Sequence, residues 1–142
     1  ARPGDRAVLF YSGPSCLDGD SRALALSTAD EGMLTSTELG AWARRLSGTR
    51  LLVFLDIRTA PTGSASEHWA AGSALLDGLA GPDRMLLAGA LPSTEPGLTR
   101  AFLHAMQSEK DPFTAARQAY PQAVQEASGQ AGDPTWPLLR ED

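Results

Sequence analysis

The chain has 142 residues, 42% hydrophobic and 20% charged, enough for one domain that buries roughly 70% of the surface its unfolded form exposes. Twelve basic residues against seventeen acidic ones leave a net charge of −5, with no electrostatic footprint for nucleic acid or an anionic membrane. A single cysteine excludes an internal disulfide and a multi-cysteine zinc centre and suits a reducing, cytoplasmic setting, and no apolar run approaches the ~20 residues of a membrane span.

The first element is expected at residues 7–12 (AVLFYS), a continuous apolar run that ends in Ser12-Gly13 and then enters a loop, Pro14-Ser15-Cys16. No Met and no signal-like segment precedes it, so the chain reads as a piece of a longer protein. A strand apolar on both faces is unsuited to a sheet edge, where its unpaired backbone recruits other chains. Strands are therefore expected before residue 1, or another chain supplies them.

Residues 13–34 read as a polar loop, a short strand near 23–27 and a partner strand near 32–34. Thr35-Ser36-Thr37-Glu38 is a capping box, followed by Leu39, Trp42, Ala43 and Leu46 at helical spacing, with Gly48 as the stop. The run RLLVFLDI at 50–57 is a second buried strand. A helix over 67–79 faces Trp69, Leu75, Leu76 and Leu79 inward, and RMLLAGAL at 84–91 is the third strand. A helix over 97–107 carries Leu98, Ala101, Phe102, Ala105 and Met106 as its apolar stripe. The last helix has Asp111 as N-cap and Pro112 at its first position, and Pro121 should kink it or split it into two abutting helices. A weak last strand, TWPLL, is expected at 135–139.

Strands alternating with helices predict an α/β layer fold with right-handed crossovers, its function in the crevice at the carboxyl ends of the strands. The two ends that matter are Ser12-Gly13-Pro14-Ser15 and Asp56-Ile57-Arg58-Thr59.

At these residues the chain resembles the caspase/metacaspase family. VLFYSG, ALALSTAD, LTSTEL, RLLVFLDIR, RMLLAGALPSTEPGLTRAFLHAM and DPTWPLL follow the family pattern in order, over nearly all of the chain. The resemblance implies a three-layer αβα caspase-like (caspase-haemoglobinase) fold with a mostly parallel sheet. Residues 1–142 would form the C-terminal two-thirds of that domain, and its N-terminal strands would be missing here.

The family's first strand end reads Ser-Gly-His-Gly, and the next reads Leu-Asp-Ala-Cys. Ser12 and Gly13 match, but Pro14 stands at the catalytic histidine and Ser15 at the second glycine. Leu55 and Asp56 match, Ile57 takes the small-residue place, and Arg58 stands at the nucleophilic cysteine. Thr59-Ala60-Pro61 does not restore the Ser-Gly that follows. The lone Cys16 and the two histidines, His68 and His104, cannot refill either place in any alignment. Proline has no side-chain proton to trade and arginine stays protonated, so neither the thiolate nor its imidazole base is present.

The expected function is that of a non-catalytic pseudoenzyme that binds, scaffolds or regulates a protein partner, with no cofactor and no metal. A homodimer through the C-terminal strand is a further expectation, weakened by Pro137. Two alternatives stand beside it: a hydrolase using Cys16 or Ser15 as a nucleophile outside the family pattern, and a small-ligand sensor using the vacated crevice.

Each residue also has a plainer reading. Cys16 is a small, partly buried loop side chain. Ser12 and Ser15 with Asp56 lack a base, and Asp56 is a structural acceptor. His68 and His104 are helix-surface residues without a second ligand at i+3 or i+4. The acidic loop 18–31, with Asp18, Asp20, Asp30 and Glu31, could hold a cation but reads as a solvated loop without EF-hand spacing. Arg58 either pairs with Asp18 or Asp20, or grips a carboxylate from a partner or tail.

Overall fold

The computed structural model describes residues 2, 4–17, 24–28, 30, 32–59, 65–91, 97–127 and 138–141. Six strands and four helices follow one another along the chain: β1 (Arg6–Leu17), β2 (Leu24–Ser27), β3 (Met33–Thr35), α1 (Ser36–Arg45), β4 (Arg50–Thr59), α2 (Ala65–Leu79), β5 (Arg84–Leu91), α3 (Gly97–Met106), α4 (Pro112–Ala127) and β6 (Leu138–Glu141). The strands form one sheet in the order β3-β2-β1-β4-β5-β6.

The sheet is mixed. The three apolar runs β1, β4 and β5 pair in parallel at its centre, while β2, β3 and β6 are added antiparallel at the two sides. Alternation of side chains along β4 divides the core in two. Leu51, Val53, Leu55 and Ile57 pack with Leu39 and Ala43 of α1 and Leu75, Leu76 and Leu79 of α2. Leu52 and Phe54 pack on the other face with Leu98 and Phe102 of α3 and Phe113 and Ala116 of α4. Helices thus cover both faces of β4 and β5. Val8 and Phe10 of β1, by contrast, are each 45% exposed, against the expectation that this run too is covered on both faces.

Local signals hold where they were strongest. Thr35 caps α1: its hydroxyl accepts from the Glu38 N–H at 3.2 Å, and the Glu38 carboxylate accepts from the Thr35 N–H at 2.9 Å. Asp111 caps α4, accepting from the Phe113 N–H at 3.2 Å and from the Thr114 hydroxyl at 2.9 Å. Arg84 donates to the Ala43 carbonyl at 2.6 Å and so closes the C-terminal end of α1. At the amino ends of β1 and β4, Arg6 and Arg50 each lie 4.5 Å from the ring centroid of the buried Phe113. Arg6 also pairs with Asp111.

Several expectations change. β1 does not end at Ser12-Gly13; it runs five residues further, to Leu17, and its last three residues pair with β2. α4 is one helix through Pro121, which lies on the exposed side, where water can take the carbonyl left without a donor. Trp42, expected in the core, is 37% exposed. Of the last strand expected at 135–139, Leu138 and Leu139 lie in β6, which runs on to Glu141, and residues 135–137 lie outside the described residues.

Candidate functional site

β1 and β4 lie side by side in unbroken parallel register from Arg6↔Arg50 to Ser15↔Thr59. This places Ser12 opposite Asp56, Gly13 opposite Ile57 and Pro14 opposite Arg58. Pro14 and Arg58 are therefore direct neighbours across one strand pair. They sit within a continuing sheet, not on loops.

A proline inside a strand with neighbours on both sides needs an explanation, since it cannot donate to a ladder. The phase of the β1–β4 ladder supplies one. The Arg50 N–H donates to the Asp5 carbonyl at 3.0 Å, so the odd residues of β1 direct their main-chain groups toward β4. The even residues, Pro14 among them, direct theirs away. The absent N–H at Pro14 costs no β1–β4 hydrogen bond, and the strand passes through.

Alternation also sorts the side chains by face. Ser12, Pro14, Asp56 and Arg58 belong to the face covered by α3 and α4. Tyr11, Gly13 and Ser15 belong to the opposite face. Ser15 is buried, and its hydroxyl points toward the Arg58 carbonyl at 3.4 Å. Ser15 and Asp56 thus cannot serve one reacting centre.

On the α3 face, Asp56 is buried and accepts two hydrogen bonds from Thr99 in the first turn of α3: the amide at 2.8 Å and the hydroxyl at 2.5 Å. A carboxylate at a helix N-terminus is favoured by the free N–H groups and by the helix dipole. The Ser12 hydroxyl lies 3.0 Å from the Thr99 hydroxyl. Thr99 has one hydroxyl proton and it goes to the carboxylate, so Ser12 donates to the Thr99 oxygen. The close approach of α3 depends on Gly89, the register neighbour of Asp56 on β5. A Cβ there would stand 3.0 Å from Cδ2 of the buried Leu98.

On the other side of β1, the Tyr11 hydroxyl, with one proton to donate, lies within hydrogen-bond reach of both the Pro14 carbonyl and the Ser27 carbonyl, the latter at 2.9 Å. It closes the fork where β1 and β2 part. Burial pushes the Tyr11 phenol above its usual range, against the opposing effects of the Ser27 bond and the positive charge of Arg58. Gly13 is required here: a Cβ would stand 2.9 Å from the Tyr11 hydroxyl oxygen. A hollow of about 550 Å³ opens at the same fork, lined by residues 10–14 of β1 and by Ser27 and Thr28.

The remaining candidates are dispersed. Cys16 pairs with Ala25 of β2, and its thiol lies 3.8 Å from the Met33 sulfur. His104 is exposed in the last turn of α3, away from the end that reaches Asp56, and the side chain of His68 lies outside the described residues. Asp18, Asp20 and Glu31 also lie outside them. Asp30 accepts from the Thr28 hydroxyl and the Gly32 amide, which hold its carboxyl below the usual range. Among the described residues no group of three His, Cys, Asp or Glu side chains could hold a metal ion, and no helix is long and apolar enough to cross a membrane. The Thr59 side chain is not among those described.

Thr99 and Tyr11 were not anticipated as parts of this region. Tyr11 sits inside an apolar run that reads as core, and only its terminal hydroxyl marks it as different. Thr99, two residues into a helix that opens with glycine, carries a faint signal as a hydroxyl in a first turn.

Comparison with protein-family models gives no match, and neither do searches of curated proteins and of solved structures.

Proposed function

We propose that this chain is a non-catalytic, caspase-like domain that binds a protein partner as a scaffold or regulator. The observation that carries the reading is the register pair Pro14↔Arg58. The two positions that the family resemblance assigns to the general base and the nucleophile are adjacent, and neither holds a group able to trade a proton near neutral pH.

The polar groups nearby have structural partners. Asp56 is engaged by the first turn of α3, and Ser12 is linked to it through Thr99. Cys16 lies beyond Pro14 on β1, where the strand pairs with β2. Arg58, half-buried at the strand end, has the planar fork that suits a carboxylate from a partner or a tail. A homodimer through β6 fits the reading less well. That strand carries Arg140 and Glu141, paired with Asp77 and Arg117, and charged side chains protect a sheet edge from pairing.

The test is direct. The purified protein is incubated with a thiol-directed activity label and a broad panel of peptide substrates, beside the Cys16→Ala and Ser15→Ala variants. No turnover above the variants is expected. Sustained turnover abolished by either substitution would overturn the proposal in favour of a hydrolase.

A further inference from the structure

We draw no further inference here: the strongest candidate, the half-buried Arg58 guanidinium at the carboxyl end of β4 beside Pro14 of β1, belongs to the site already described, and nothing in the structure shows which anion it would hold.

Discussion

Asp56 of β4 and Thr99 of α3 are joined twice, through the Thr99 amide at 2.8 Å and the Thr99 hydroxyl at 2.5 Å. A carboxylate buried at a helix N-terminus in this way fastens α3 to the centre of the sheet. Asp56→Ala should therefore cost about 2–3 kcal/mol, the scale for hydrogen bonds to a charged group. Thr99→Val, which keeps the amide bond, should cost about 1 kcal/mol. Urea midpoints for the two variants check this order. A cost for Asp56→Ala no larger than that for Thr99→Val would show that the helix does not depend on the carboxylate.

The Tyr11 phenol predicts a loss of stability in alkali. Its folded-state pKa lies above the ordinary 10.0 because burial disfavours the phenolate. Between 10.0 and the raised value the folded chain holds a proton that the unfolded chain has released. The stabilisation is thus complete below pH 10.0 and drains away as pH rises through the folded pKa. Tyr11→Phe should cost about 1 kcal/mol at neutral pH, and its gap from wild type should shrink in alkali. In a Tyr120→Phe background, where Tyr11 is the only phenol, Arg58→Ala should raise the absorbance-detected pKa further. A gap that widens with pH, or an Arg58 variant that lowers the pKa, contradicts this.

Gly13 and Tyr11 should be energetically coupled. Gly13→Ala places a methyl against the Tyr11 hydroxyl, which sits between two carbonyls and donates to one of them, so the substitution should cost about 1–3 kcal/mol. In a Tyr11→Phe background the cost should fall by at least ~0.5 kcal/mol, a deviation from additivity that a double-mutant cycle resolves. Strict additivity would place the clash elsewhere.

At the other side of the sheet, Arg117 of α4 holds Glu141 of β6 with Nη2 to Oε1 at 2.7 Å and Nε to both carboxylate oxygens at 3.1–3.2 Å. The Arg117 hydrogen bonds, partly opposed by desolvation, keep the Glu141 carboxyl below its ordinary 4.5. A lowered carboxyl pKa stabilises the fold above 4.5, and that contribution is lost as pH falls through the folded value. Glu141→Gln should cost less than ~1 kcal/mol at pH 7, since both side chains are largely exposed. The difference from wild type should disappear in acid, as read from melting temperatures between pH 7 and 3. A difference unchanged across that range would mean that the ion pair contributes nothing.

Residues whose meaning is local were legible. The Thr35–Glu38 capping box and the Asp111-Pro112 helix start depend only on neighbours three or four positions away, and both form. The apolar runs of β1, β4 and β5 were read as parallel strands covered on both faces; all three are parallel and β4 and β5 are so covered, but β1 leaves Val8 and Phe10 exposed. Pro14 and Trp42 were misjudged for a shared reason. Whether a proline ends a strand depends on which neighbour its missing N–H would have faced, and whether a tryptophan is buried depends on what packs above it.

The sequence by itself determined which side chains stand at the two strand ends. They are Pro14 and Arg58, and the chain's one cysteine and two histidines stand elsewhere in the sequence. The tertiary structure alone decided that Pro14 and Arg58 are register neighbours, that Ser15 and Asp56 face opposite ways, and that β2 pairs with Ser15, Cys16 and Leu17 of β1. Pairing partners and ladder phase bring together residues more than forty positions apart. No local pattern encodes which strand a given residue will face.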